Sequence, residues 1–183
     1  MLFRSPTGSA LSPVSNAAWL TGCGASASVV KIVDDIYFLS NSVVTGYAIT
    51  RLQGLTLTNV STPELERALN KYAFVTSFAQ SFRTLGHSFY SITGVTGSGF
   101  SVTYTYDLTT GTWAQWTSYV GGTEVGFVGI HCINQGGAYY MQDRLSGTCL
   151  LLDATATQDD VGTVRGTQDR KSTRLNSSHQ YYL

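Results

Sequence analysis

The stretch "FSVTYTYDLTTGTWAQWTSYV", Phe100 to Val120, decides the fold class. Its first half alternates in side-chain character, with Val102, Tyr104 and Tyr106 on one face and hydroxyl residues on the other. That period of two is typical of a half-buried β-strand. The tripeptide "TTG" then provides a turn, and a second aromatic strand follows from Thr112. The stretch therefore predicts a β-hairpin with one buried face.

Similar strands lie on both sides of this hairpin. Two precede it, at residues 73–82 and 87–93, and three follow it, at 125–134, 138–143 and 148–153. Glycine in the connections permits the positive φ of tight hairpins. An aromatic strand closed by polar residues recurs about every 50 residues, as "IYFLSN" (36–41), "FYSITG" (89–94) and "YYMQD" (139–143). This period is typical of four-stranded propeller blades, so the sequence predicts an all-β, β-propeller-like array of antiparallel blades, a partial propeller.

One segment, "STPELERALNKY" (Ser61 to Tyr72), departs from this β pattern. Ser61 followed by Glu64 predicts a capping box, and Pro63 lies in the first turn, where its missing N–H is tolerated. The sequence predicts one inserted amphipathic helix over 61–72, either a simple cover for the sheets or a partner contact. Its apolar residues recur at helical spacing: Leu65, Ala68, Leu69 and Tyr72.

The composition suits a β protein of low charge. Hydrophobic residues make up 43% and charged residues 12%, with 11 Tyr and 19 Gly. No apolar run predicts a signal peptide or a membrane span. Cys23, Cys132 and Cys149 fit no metal-ligand spacing, so we expect buried free thiols. The strands of Cys132 and Cys149 are expected to be neighbours, which makes these two the one pair worth testing for a disulfide.

The polar residues that could carry chemistry are few. Most acidic residues sit where strands end, and aspartate is favoured there because it bonds backbone N–H groups of turns. Neither His87 nor His131 has a neighbour in sequence that would activate it or bind a metal with it. No Gly-rich phosphate loop is present. The sequence predicts no catalytic, cofactor-binding or metal-binding residue, no cofactor and no enzymatic activity. The acidic residues considered are Asp34, Asp35, Asp107, Glu124, Asp143 and Asp153.

Four stretches give the chain a resemblance to a known family. They are "GCGASASVVKIVDDIYFLSNS" (22–42), "VSTPELERALNKY" (60–72), "LGHSFYSIT" (85–93) and "TYDLTTGTWAQW" (105–116). In order and spacing they resemble the packaged-DNA stabilisation proteins, the tail accessory factors of short-tailed phages. The chain departs from that family at Gln115 and Trp116, where members usually carry a more basic strand.

The resemblance implies a mechanical function without catalysis. It implies a structural virion protein at the tail and portal vertex, assembled in the host cytoplasm, that closes the portal channel and stabilises packaged DNA. The implied partners are further copies in a homo-oligomeric ring, the portal-side adaptor protein, the tail needle and the tailspikes. Sequence-specific nucleic-acid binding is not expected, because a ring that restrains moving DNA should not adhere to it.

The last 15 residues differ from the rest of the chain. They hold three basic residues and one acidic residue, whereas residues 1–168 carry an acidic excess of two. "DRKSTRLNSSH" (169–179) also matches a common sequencing adapter translated in one frame. We therefore expect residues 169–183 to be an artefactual, disordered tail. Residues 28–168 are expected to form the propeller-like domain fragment, and residues 1–27 an irregular lead-in truncated at its N-terminus.

A second functional interpretation is a carbohydrate-binding or glycan-hydrolysing propeller. It relies on Trp113, Trp116 and Tyr119 as surfaces for sugar rings, with Asp107 as the acidic group. A bacterial surface protein built of the same blades is a third interpretation.

Overall fold

The computed structural model describes residues 3–4, 12–13, 19–153 and 181–182. Within these residues the protein is all-β with one α-helix, and its sheets are antiparallel. The predicted all-β, partial propeller-like array with one inserted helix is confirmed. No helix in the described part of the chain is long and apolar enough to cross a membrane.

The N-terminal third forms a two-stranded ribbon and a first sheet. The ribbon pairs β1 (Phe3–Arg4) with β2 (Ser12–Pro13). The first sheet has the order β3-β5-β6-β7, and β4 also pairs with β5. Its strands are β3 (Gly22–Cys23), β4 (Val30–Ile32), β5 (Asp35–Ser42), β6 (Gly46–Gln53) and β7 (Thr56–Asn59).

The middle sheet contains the predicted four-stranded unit. Its order is β12-β11-β10-β9-β8, and the C-terminal strand β16 (Tyr181–Tyr182) pairs with β11. The strands are β8 (Phe74–Thr84), β9 (His87–Thr96), β10 (Ser101–Asp107), β11 (Thr112–Val120) and β12 (Thr123–Gly126). The expectation that β10 is half-buried is wrong, because residues 101–105 are buried on both faces of the sheet.

A three-stranded last sheet follows, made of β13 (Gly129–Gln135), β14 (Ala138–Asp143) and β15 (Cys149–Leu152). The single strand predicted over 125–134 is wrong, since β12 ends at Gly126 and β13 begins at Gly129. A Cβ on Gly126 would lie 2.9 Å from the Val102 nitrogen. A side chain at this position would collide with the β10 backbone, so the close approach of β12 to β10 requires glycine.

The pairing proposed for two cysteines is not supported by the topology. Cys132 lies on β13 and Cys149 on β15, and β14 separates these strands. Two strand spacings, about 9.5 Å, exceed the Cα separation of about 7 Å that a disulfide can bridge. The expectation that the two strands are neighbours is therefore wrong, and both thiols are free. The expected burial is also wrong, because Cys23 and Cys149 are exposed and Cys132 is half-buried.

The helix α1 spans Pro63–Lys71, with Thr62 as its N-cap. The Thr62 hydroxyl accepts a hydrogen bond from the Leu65 N–H at 3.3 Å. The predicted capping box of Ser61 and Glu64 is therefore wrong by one residue. Ser61 is engaged elsewhere, because its hydroxyl accepts from the Ile49 N–H at 3.1 Å.

The middle sheet lies between the other two sheets. The first sheet and α1 pack against one face, where Tyr37 and Tyr90 have ring centroids 5.7 Å apart. Trp113 is buried in this core, and its indole N–H donates to the Val60 carbonyl at 2.8 Å. The last sheet packs against the opposite face, where the Gln80 side chain of β8 donates to the Gly129 carbonyl of β13 at 2.7 Å. Trp116 packs on the same face against Phe127, in the connection between β12 and β13. The main buried residues of the core are Tyr37, Leu39, Ile49, Leu65, Leu69, Tyr90, Ile92, Val102, Tyr104 and Trp113.

The predicted segment boundaries fall partly outside the described residues. Within 1–27, Gly22–Cys23 pair with β5, so the first sheet begins in this segment. The boundary at 168 and residues 169–180 of the tail lie outside the described residues. Of the tail, Tyr181–Tyr182 form the two-residue strand β16.

Candidate functional site

A histidine and an aspartate meet at one end of the middle sheet. His87 is the first residue of β9 and Asp107 the last residue of β10, and the antiparallel register places Asp107 opposite Phe89. The His87 Nδ1 lies 2.7 Å from the Asp107 Oδ2. Asp107 also accepts hydrogen bonds from the Thr109 N–H and the Thr110 hydroxyl, each at 2.9 Å.

These contacts keep the Asp107 carboxylate ionised. Partial burial acts to raise its pKa, but the bonds from Thr109, Thr110 and His87 outweigh burial, and the pKa is lowered. The His87 ring stacks on Phe89 with centroids 6.1 Å apart and is 39% exposed. The carboxylate therefore holds the imidazole in a fixed orientation.

The chemistry open to this pair is limited. Nucleophilic catalysis needs a hydroxyl or thiol that is hydrogen-bonded to the base, but Thr110 donates to the carboxylate. Among the described residues no three His, Cys, Asp or Glu side chains group closely enough to hold a metal ion. The contact between His87 and Asp107 joins the β8–β9 turn to the β10–β11 turn.

The sequence alone predicted no contact between His87 and Asp107. The signal that could have found the contact is the β9–β10 hairpin itself, since antiparallel pairing brings the start of one strand to the end of the next. The turn role expected of Asp107 is confirmed by its bond from Thr109. Asp143 has the same role, because it accepts from the Leu145 N–H at 2.8 Å.

The remaining sequence candidates lie apart from this pair. Asp34 is exposed in the β4–β5 turn, and Asp35 pairs with Arg51 at 3.9 Å on the first sheet. Glu124 is exposed on β12, and Asp153 is exposed after β15.

The aromatic residues considered for sugar binding do not form one surface. Trp113 is 1% exposed and faces the first sheet. Trp116 faces the opposite side, where it packs on Phe82 and Phe127. Only Tyr119, at 43% exposure, is open to solvent. The structure does not bring these three side chains together.

A second polar arrangement connects the middle and last sheets through Gln80 of β8. Its Nε2 donates to the Gly129 carbonyl at 2.7 Å, and its Oε1 accepts from the Cys132 N–H at 3.0 Å. The pairing of β13 with β14 shifts register between Ile130 and Ile133, and His131 has φ +52 there. Gln80 thus satisfies two backbone groups at a β-bulge. The sequence offered no signal for this contact, since it depends on how two sheets stack.

The outer face of the last sheet carries an apolar row. Ile133, Tyr140 and Leu151 lie directly opposite one another on β13, β14 and β15. Ile133 is 62% exposed and Leu151 53% exposed. The row therefore crosses all three strands of the sheet on the side away from the middle sheet.

The fold and these features define a class: an all-β protein of stacked antiparallel sheets that are joined by polar side-chain contacts. No protein-family model, curated protein or solved structure matches the chain significantly.

Proposed function

We propose that the protein is a structural component of a phage virion, a tail accessory factor that joins a ring below the portal, closes its channel and stabilises packaged DNA. The four stretches that resemble the packaged-DNA stabilisation family support this proposal. The structural observation that supports it is the apolar row of Ile133, Tyr140 and Leu151 on the outer face of the last sheet.

This row favours assembly with another layer of protein. Sheets in such arrays stack face to face at about 10 Å, and the middle sheet is already covered on both faces. Large exposed apolar patches on soluble proteins commonly mark interaction sites. A neighbouring copy that covers Ile133 and Leu151 would continue the stack from one subunit to the next.

The position in the virion and the partners come from the resemblance. The proposed partners are the portal-side adaptor, the tail needle and the tailspikes, with assembly in the host cytoplasm. Charged residues make up only 12% of the chain, and residues 1–168 carry an acidic excess of two, which suits a channel wall that lets DNA pass. No catalytic step and no sequence-specific DNA contact belong to this function.

The test is sedimentation of the full chain over a wide range of concentrations, with electron microscopy of the assembled species. We expect ring-shaped oligomers that grow with concentration. Ile133→Asp and Leu151→Asp should each shift the chain to monomer, because each buries a charge at the interface. The matched control is Val43→Asp in the β5–β6 turn, where the side chain is fully exposed, and it should assemble normally.

A chain that stays monomeric at every concentration would contradict the proposal. The glycan interpretation is checked on the same sample, by binding and cleavage of an oligosaccharide panel. Binding that is lost in Tyr119→Ala, at the exposed one of the three aromatic residues, would favour that alternative over the virion role.

A further inference from the structure

The first sheet carries an apolar row on its outer face. Ile36 of β5, Leu52 of β6 and Leu57 of β7 lie directly opposite one another. Tyr37 and Ile49 of the same strands belong to the core, so this first-sheet row faces away from the middle sheet. All three of its side chains are half-buried, and none is part of the core that the described residues form.

The hydroxyl groups beside this row are paired within the sheet. The Thr50 hydroxyl donates to the Ser40 hydroxyl at 2.7 Å, and the Ser40 hydroxyl donates to the Ala48 carbonyl at 3.0 Å. These residues share the outer face with Leu52. Burial of an unpaired polar group is costly. Because these hydroxyls already have partners, a further layer of protein can cover the face without that cost.

The other end of the three-sheet stack has a matching surface. The last-sheet row of Ile133, Tyr140 and Leu151 also crosses three strands, about 9.5 Å from the first strand to the third. Among the described strands, the one Asp, Glu, Lys or Arg on either outer face is Lys31 of β4, at the margin of the first sheet. The other residues on the outer face of the last sheet are uncharged: Ile130, Gln135, Ala138, Gln142 and Cys149.

We propose that these two outer faces bind each other between copies of the chain. The last-sheet row of one copy packs on the first-sheet row of the next. A second copy is the occupant because it supplies an uncharged, apolar face of the same width, and because the sheets of this chain already pack face to face. This inference rests on the proposed function and identifies the two surfaces of its ring.

A contact between unlike faces accounts for a ring. Each added copy leaves one free face of each kind, so copies add until the last one meets the first. A contact between two last sheets would instead stop at a dimer and leave the first-sheet row uncovered.

The test begins with sedimentation of the full chain carrying Leu52→Asp and, separately, Leu57→Asp. In each variant the concentration at which half of the chains assemble should rise at least about tenfold, because a charge is buried at the contact. An equimolar mixture of Leu52→Asp and Ile133→Asp chains is the decisive sample. Each chain there keeps one intact face, of opposite kinds, so the mixture should form a one-to-one dimer and nothing larger. Each variant alone should be monomeric at the same concentration.

Two controls make the result specific. Thr58→Asp changes an exposed residue of β7 that points away from the face of Leu57, and this variant should assemble like the unaltered chain. A mixture of Leu52→Asp and Leu57→Asp chains, which both lack the first-sheet face, should stay monomeric. Circular dichroism of each variant verifies that it is folded.

Three outcomes would overturn the assignment of the faces while the proposed ring stands. They are normal assembly of both first-sheet variants, a Leu52→Asp chain that dimerises alone, and a decisive mixture that stays monomeric. An unaltered chain that is monomeric at every concentration would contradict the proposed function as well. Open linear polymers of the unaltered chain, lost in Leu52→Asp, would support the contact of unlike faces and contradict the ring.

Discussion

The two faces of the middle sheet are both buried, but they are built from different chemistry. The face toward the first sheet is aromatic and aliphatic, with Tyr90, Tyr104 and Trp113 at its centre. The face toward the last sheet has hydroxyl residues at its centre, and Thr103 there is 0% exposed. Adjacent residues of β10 therefore alternate between two kinds of interior.

This difference changes what holds each interface together. Burial of apolar area stabilises the first interface by about 25 cal/mol per Å², whatever the exact orientation of the groups. The hydroxyl groups at the centre of the second face stabilise it where they are paired, as Thr93 and Thr103 are at 2.8 Å and Thr105 and Ser91 at 3.1 Å. Aromatic contacts such as that of Trp116 with Phe82 add apolar burial at its margin. The second interface is therefore directional, and its stability depends on a few specific contacts.

The largest effect should come from Trp113→Ala in the apolar interface. The substitution removes a buried indole and leaves the Val60 carbonyl without its donor, so we expect the free energy of unfolding to fall by about 4 kcal/mol. Urea unfolding followed by circular dichroism measures this loss. Val44→Ala in the exposed β5–β6 turn is the control, with an expected change within about 0.5 kcal/mol. Equal losses of unfolding free energy in the two variants would mean that the buried Trp113 stabilises the fold no more than an exposed turn residue does.

Gln80→Met should produce the next largest effect, in the directional interface. Methionine fills a similar volume but leaves the Gly129 carbonyl and the Cys132 N–H unpaired, which should cost about 2–3 kcal/mol. Hydrogen exchange should show the loss concentrated in β13 and β14. Gln142→Met, at an exposed position of β14, is the matched control and should change little. Uniform destabilisation of all three sheets would contradict the idea that Gln80 acts as a local connection.

The sequence predicted the strands of the middle sheet better than it predicted their surroundings. Alternation along β10 identified a strand, but it marked Thr103 and Thr105 as solvent-facing because hydroxyl residues resemble surface residues in sequence. Their burial requires the last sheet to cover them, and no local pattern encodes that packing. The His87–Asp107 contact was missed for a related reason: it depends on register between two strands, while each residue alone has an ordinary turn context.

The hydroxyl pair of Thr93 and Thr103 offers a sharper test of the directional interface. Thr93→Val alone leaves the buried Thr103 hydroxyl without its partner and should cost about 1–2 kcal/mol. The double variant, Thr93→Val with Thr103→Val, removes both hydroxyl groups. Its free energy of unfolding should be nearer to that of the unaltered protein than the value of either single variant. Urea unfolding of the three variants measures the coupling. Additive losses would show that the pair contributes volume and not hydrogen bonding.

The smallest effect should come from Asp107→Asn, at the end of the same interface, and it should depend on pH. The substitution weakens the bonds from His87 and Thr110, so we expect a loss of about 1 kcal/mol near neutral pH. The pKa of Asp107 is lowered in the folded state, since the bonds from Thr109, Thr110 and His87 outweigh the partial burial that acts to raise it. Its contribution to stability is therefore present above the unfolded pKa of about 3.9, and it is lost as the pH falls through the lower folded value.

The difference in unfolding free energy between the Asp107→Asn variant and the unaltered protein should shrink as the pH falls below about 4, when unfolding is followed by urea titration at each pH. Asp34→Asn, in the exposed β4–β5 turn, is the matched control, and it should change the free energy of unfolding at neutral pH by no more than about 0.5 kcal/mol. A constant difference at every pH would mean that the substitution acts through packing at Asp107 and not through the charge of its carboxylate. Packing would then stabilise both faces of the middle sheet.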